Sequence, residues 1–179
     1  MKIAAISGSL RAGSSNTAVL RAAARLAPAD VEVILFDGIA HLPFFNPDLD
    51  GDDVPAPVGA MRHLIGGVDG LLISSPEYAR GVAGVLKNAL DWLVGSHEFP
   101  DKPVALINTS PRATHALAAL TLTLETMSAR LAREACVTLP LLGGAWDEQS
   151  IAADPTLAEP LRLAMERFAA FIATVQAEA

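Results

Sequence analysis

The sequence predicts an α/β protein, a three-layer sandwich in which helices cover both faces of a five-stranded parallel sheet. Three observations carry that prediction. Four runs, KIAAIS (2–7), VEVILF (31–36), DGLLISS (69–75) and PVALINTS (103–110), and a weaker fifth, CVTLPLL (136–142), are nearly continuous in apolar residues. Runs that do not alternate with polar residues mark strands buried on both faces, as in parallel sheets. Helical patterns fall between them with short joins, the β–α alternation of such a sheet. The chain has 179 residues, a size suited to one domain, 1–179, that can bury a core without metal or disulfide.

The helices are read in the same order. TAVLRAAARLA (17–27) has a mostly apolar face with Arg21 and Arg25 outside it. VGAMRHLIGG (58–67) is shorter, and GVLKNALDWLVG (84–95) sets Val85, Leu86, Ala89, Leu90 and Leu93 on one side. Residues 114–134 read as one long helix, and 155–176 as the last, with Pro160 expected to kink it or mark its true start. The segment 39–57, acidic and rich in proline, reads as the one long loop. Five strands and five helices fit the strand order 2-1-3-4-5, the flavodoxin-like arrangement.

Composition narrows the function. The net charge is −7 with no basic tract, which argues against nucleic acid, because phosphate-backbone binding needs clustered Lys and Arg. No apolar stretch reaches the ~20 residues of a membrane span, and no signal peptide is read at the N-terminus. The single cysteine, Cys136, reads as a small buried apolar residue in a reducing, cytoplasmic compartment. The four histidines, His41, His63, His97 and His115, show no metal-ligand spacing.

The chemistry sits in the joins. In an open α/β sheet ligands bind beyond the carboxyl ends of the strands where strand order reverses, here between strands 1 and 3. The joins SGSLRAGSSN, SPEYARG and NTSPRATH follow the first, third and fourth strands, and this topology gathers them at one edge. In the first, Gly8 permits a tight turn, and Ser9, Ser14, Ser15, Asn16 and Thr17 offer donors around a helix start. Free N–H groups and the positive end of the helix dipole favour a phosphate there, and Arg11 adds a bidentate cation. Capping by Ser15 or Asn16 explains one of these polar residues, not all of them. No Gly-Lys-Ser/Thr ends the loop, and its glycine spacing is not G-x-G-x-x-G. The pattern suits a terminal phosphate monoester.

SGSLRAGSSN followed by SPEYARGVAGVLKNALDWL closely resembles the NADPH-dependent FMN reductase family, whose markers are G-S-L-R-x-x-S-x-N and P-E-Y-N-x-S-x-P-G-x-L-K-N-A-I-D-W. The resemblance implies that Ser9, Arg11, Ser15, Asn16 and Thr17 hold the FMN phosphate. Pro76, Glu77 and Tyr78 would border the isoalloxazine ring, and Ser110 with the residues after it would close the other side. Lys87 and Asp91, four apart on a helix, read as a surface ion pair, with Asn88 and Trp92 as structural signature. Ala79 replaces the family's Asn, Gly81 and Ala83 replace Ser and Pro, and no glycine occurs from Ser96 to Leu142. In that glycine-free loop, Arg112 and His115 could meet NADPH phosphates or reduced flavin, or could be solvated; both readings stay open.

The implied activity is transfer of hydride from NADPH or NADH, through flavin N5, to a quinone, free flavin or similar small-molecule electron acceptor. Acid–base side chains are not needed, since the cofactor carries the chemistry. Phe44, Phe45 and Pro47 could shelter a flat substrate, and a homodimer or homotetramer is expected to frame the site mouth. The alternative is an FMN-binding electron carrier or sensor without NAD(P)H turnover, although the T-x-T-G-x-T loop typical of flavodoxins is absent. A nucleotide-binding module without flavin is a further rival.

Overall fold

The computed structural model describes residues 1–51, 53–141 and 144–178. Chain order runs β1 (Lys2–Ser7), α1 (Ser15–Leu26), β2 (Glu32–Phe36), α2 (Ala56–Gly66), β3 (Gly70–Ser74) and a hairpin of β4 (Glu77–Tyr78) and β5 (Gly81–Val82). It continues with α3 (Gly84–Val94), β6 (Pro103–Asn108), α4 (Thr114–Thr126), β7 (Arg130–Leu131), β8 (Val137–Thr138), α5 (Glu148–Ala153) and α6 (Pro155–Glu178). The main sheet is parallel in the order β2-β1-β3-β6-β7, with β8 also pairing β6. This is the flavodoxin-like order, with its fifth strand divided in two.

Side-chain alternation along each strand builds the layers. Ile3, Ala5, Leu72, Ala105 and Ile107 pack with Leu20 of α1 and with Met165, Phe168 and Ile172 of α6. The alternate residues Ala4, Ile6, Leu71, Ile73 and Leu106 pack with Met61, Leu86, Trp92 and Leu124 of α2, α3 and α4. Both faces of the sheet are thereby dry, which is why its strands read as unbroken apolar runs. No helix is long and apolar enough to cross a membrane among the described residues.

Four expectations need correction. The helix read over 114–134 stops at Thr126, because Ser128 takes a left-handed φ of 65°. The Ala129 N–H then bonds the Leu124 carbonyl at 2.9 Å and the Ser128 N–H the Glu125 carbonyl at 3.0 Å. That is a Schellman closure with serine where glycine usually stands, and the chain beyond it reaches β6 as β7. The run 136–142 pairs as a strand only at Val137–Thr138, although the Leu139 and Leu141 N–H groups still bond the carbonyls of Asn108 and Thr109 at 2.8 and 3.1 Å; Leu142 lies outside the described residues. Pro160 neither starts nor ends a helix, for α6 begins at Pro155 and passes through it. Near the helix start the proline forfeits one backbone bond, and buried Leu157, Leu161, Met165 and Phe168 anchor the helix on either side.

Cys136 is the fourth. It is exposed rather than buried. Its Sγ is nonetheless engaged, accepting the Leu106 N–H at 3.3 Å and donating toward the Ala132 carbonyl at 3.5 Å. Burial of the sulfur pushes the thiol above its ordinary value, so this is a poor nucleophile.

Candidate active site

The loop 8–14 is shaped by two short-range needs. Gly8 passes close to β3: its N–H bonds the Ser74 carbonyl at 2.8 Å, and a Cβ here would lie 2.5 Å from Ser75 Oγ. Close approach, rather than a left-handed turn, is therefore what demands glycine. The hydroxyls then pin the loop. Ser7 Oγ and Thr17 Oγ1 lie 2.8 Å apart, the Ser9 N–H reaches Ser7 Oγ at 3.3 Å, and the Arg11 N–H reaches Ser9 Oγ at 3.4 Å.

The cap of α1 is Ser14, whose Oγ accepts the Thr17 N–H at 3.4 Å. Sequence placed it one or two residues later. Asn16 turns inward instead, its Oδ1 accepting from Ser74 Oγ at 2.9 Å and Thr109 Oγ1 at 3.2 Å. One side chain thus ties α1 to the ends of β3 and β6.

Several of the surplus polar groups consequently have internal partners, and what remains is a narrower donor set. Among the described residues, the amide N–H groups of Ser15 and Asn16, the Asn16 Nδ2, the Ser15 hydroxyl and the Arg11 guanidinium have no protein acceptor. Asn16 is only 6% exposed yet lines the neighbouring cleft. A side-chain amide donor that opens into the cleft without a protein partner, beside free helix-terminal N–H groups, fits the phosphate-bearing end of a mononucleotide.

That cleft holds about 290 Å³ and is lined by Asn16, Ser75, Pro76, Glu77, Asn108, Thr109, Ser110 and Arg112. Its two walls are the joins after β3 and β6. The first is the hairpin β4–β5, which sequence reasoning missed. Its two-residue turn, Ala79–Arg80, has φ of 49° and 61°, the both-positive geometry of a type I′ turn that Asn-Gly ordinarily fills. Tyr78 stands on this hairpin, 58% exposed.

The second wall is held by Asn108, which donates from Nδ2 to the Ser110 carbonyl at 2.7 Å and accepts the Ser110 N–H at 3.2 Å. Ser110 Oγ accepts the Arg112 N–H at 3.2 Å. No residue from 108 to 116 has a left-handed φ, so this loop needs no glycine. Ala113 precedes α4 without a side-chain cap. Glu77 supplies one from the facing wall, its Oε2 accepting the Ala116 N–H at 2.8 Å. Arg112 and His115 are exposed, and neither meets a carboxylate among the described residues.

The α3 signature residues do structural work a short distance away. Asn88 accepts the Phe45 N–H at 2.8 Å and donates to the Pro43 carbonyl at 2.9 Å, which also receives the Trp92 indole N–H at 2.8 Å. Phe45 packs edge-on against Trp92 at 5.1 Å, while Phe44 is left 90% exposed. Lys87 and Asp91 form the expected surface ion pair at 2.5 Å. A larger groove of about 430 Å³ lies between residues 131–135 and α6, away from the strand ends that gather the polar joins. Ser75, Asn108 and Thr109 line the cleft and Ser74 bonds Asn16 beside it; sequence reasoning marked the joins that hold Ser75, Asn108 and Thr109 without giving these residues a role of their own. Their signal was polarity at the carboxyl ends of otherwise apolar strands.

A parallel sheet in this order, with a donor-rich helix start and a cleft at its switch point, defines a flavodoxin-like α/β protein. Residues 1–141 match the family described as NADPH-dependent FMN reductase, and the chain belongs to that family. Over 113 residues, 62% of this chain and 61% of the relative, it is 44% identical to a 2-hydroxy-1,4-benzoquinone reductase of Burkholderia sp. Over 115 residues, 62% of this chain and 60% of the relative, it is 40% identical to a quinone reductase of Escherichia coli strain K12. The match thus spans about three fifths of those relatives' length. The solved flavoenzyme NAD(P)H:(acceptor) oxidoreductase FerB of Paracoccus denitrificans is similar throughout, with a TM-score of 0.74, 29% identity, and coverage of 98% of this chain and 97% of that one.

Proposed function

We propose that this chain, acting as one domain, is an FMN-dependent NAD(P)H oxidoreductase that reduces a quinone, free flavin or similar small acceptor. The observation that supports it best is the unpartnered donor set at the start of α1, opening beside a cleft whose walls are the two other polar joins. In this reading the Ser15 hydroxyl, the Ser15 and Asn16 amides and Arg11 hold the phosphate, with Ser9 and Thr17 shaping the loop beneath it. Pro76, Glu77 and Tyr78 line one side of the ring and Ser110 the other. Bound FMN supplies the hydride chemistry. The side chains position it, exclude water from one face and offer cations to anionic partners. Arg112 and His115 face a nicotinamide dinucleotide's phosphates at the cleft mouth.

A homodimer or homotetramer in the cytoplasm is part of the same reading, with Phe44, 90% exposed, a side chain that a second copy would cover. The test is an absorption spectrum of the purified protein, followed by NADPH oxidation with FMN and a quinone. A flavin band with turnover is expected. A colourless protein that takes up no FMN would refute the reading, and flavin without turnover would leave an electron carrier.

A further inference from the structure

We propose that Glu77 is a positioning residue that sets the gap between the two walls of the cleft. The proposal rests on the flavin-binding reading above. Four observations lead to it. The hairpin β4–β5 is a ladder of only two residue pairs, closed by two strained left-handed residues, so its own hydrogen bonds hold it weakly. The facing wall ends in a helix whose cap residue, Ala113, has no side chain to satisfy the first-turn amides. Glu77 joins the two deficits: its carboxylate leaves the hairpin and takes the Ala116 N–H at 2.8 Å. It lines the cleft and has no cationic partner within salt-bridge distance among the described residues.

A charged acceptor at a helix start is a strong bond, favoured further by the helix dipole. A flat ring entering a cleft whose walls are already fixed does not pay to order them. Releasing the tether therefore weakens binding through the ring, not through the phosphate.

The experiment compares Glu77→Ala, Glu77→Gln and wild type for binding of FMN and of riboflavin, read by quenching of flavin fluorescence, with circular dichroism to verify folding. Gln keeps an oxygen that accepts the Ala116 N–H and loses only the charge. Glu77→Ala should weaken FMN and riboflavin equally, each by about tenfold, with altered fine structure of the bound flavin's visible band. Glu77→Gln should restore most of the affinity. Should Glu77→Ala fail to fold, Glu77→Asp, one methylene too short to span the gap, takes its place. Wild-type affinity for both flavins in the shortened or truncated variant overturns the proposal and leaves the cofactor reading intact. A wild-type protein that binds neither flavin overturns both.

Discussion

Replacing Ala79–Arg80 by Asn-Gly should stabilise the protein, and the hairpin geometry allows the size to be worked out. Both residues sit at positive φ, 49° and 61°, where an L side chain other than Asn costs about 1–2 kcal/mol against the right-handed region. Glycine removes that cost at position 80 but returns part of it as chain entropy on unfolding, about 0.5–1 kcal/mol. Asparagine at 79 tolerates the conformation at little entropic expense. The net gain is about 1–2 kcal/mol, or roughly 3–6 °C in Tm for a chain of this size. Neither side chain is needed for packing, since both residues are exposed. The gain registers globally because Glu77 and the hairpin's contact with α4 couple it to the body of the fold. Thermal unfolding of apo wild type and the double variant is the assay, with amide exchange at Gly81 and Val82 as a local readout. An unchanged or lowered Tm, with no added protection in the hairpin, would show that the left-handed turn carries no strain.

Three further outcomes are expected. Arg11→Ala should weaken FMN by tenfold or more while leaving riboflavin within about twofold, since the proposed function gives the guanidinium the phosphate as its partner; equal losses for the two flavins would contradict that proposal. Arg112→Ala should raise the apparent KM for NADPH with FMN content and kcat little changed, and an unchanged KM would return Arg112 to the solvated surface. At the start of α5, backbone and hydroxyl hydrogen bonds from Ser150 hold the Asp147 carboxyl below its ordinary value. A depressed pKa stabilises the fold above the unfolded value of about 3.9 and loses that effect as pH falls through the folded one. Urea melts of wild type and Asp147→Asn should therefore differ near neutral pH and converge as the pH falls through the lowered folded-state value of the Asp147 carboxyl; a gap that persists in acid would mean the cap does not depend on the charge.

The fold was legible where residues act locally and hidden where a neighbour in space decides. β1, β3 and β6 are apolar on both faces, so periodicity found them without any partner in view. The end of α4 was concealed because Ser128 does a glycine's work, and nothing in MSAR marks a left-handed residue. The hairpin escaped for the same reason, Ala79–Arg80 standing where Asn-Gly would announce a turn. At the cleft, polarity singled out the joins that line it, but polarity does not say which way a side chain turns. Asn16 and Thr17 read as ligand donors, and much of their bonding capacity goes to Ser74, Thr109 and Ser7. The Glu77–Ala116 bond spans 39 residues of sequence and exists only once both walls are built.

The family resemblance carried three departures, Ala79 for asparagine, Gly81 and Ala83 for serine and proline, and the missing glycines after β6, and the structure separates their consequences. Glycine is required where φ is positive or a Cβ would collide. The loop 108–116 has no left-handed residue, and Asn108 and Ser110 supply its turn through their own side chains. Its composition is therefore a substitution of one turn chemistry for another. At position 83 the backbone holds φ −55°, the value proline would impose, so alanine there gives up chain stiffness and keeps the shape. Ala79 is different. It takes a left-handed φ of 49° where the family pattern has asparagine, a residue that tolerates that conformation, so the strain falls on the wall that Glu77 tethers. Ala79→Asn alone should therefore tighten FMN binding, read by quenching of flavin fluorescence, and an unchanged affinity would show that the strain does not reach the cleft.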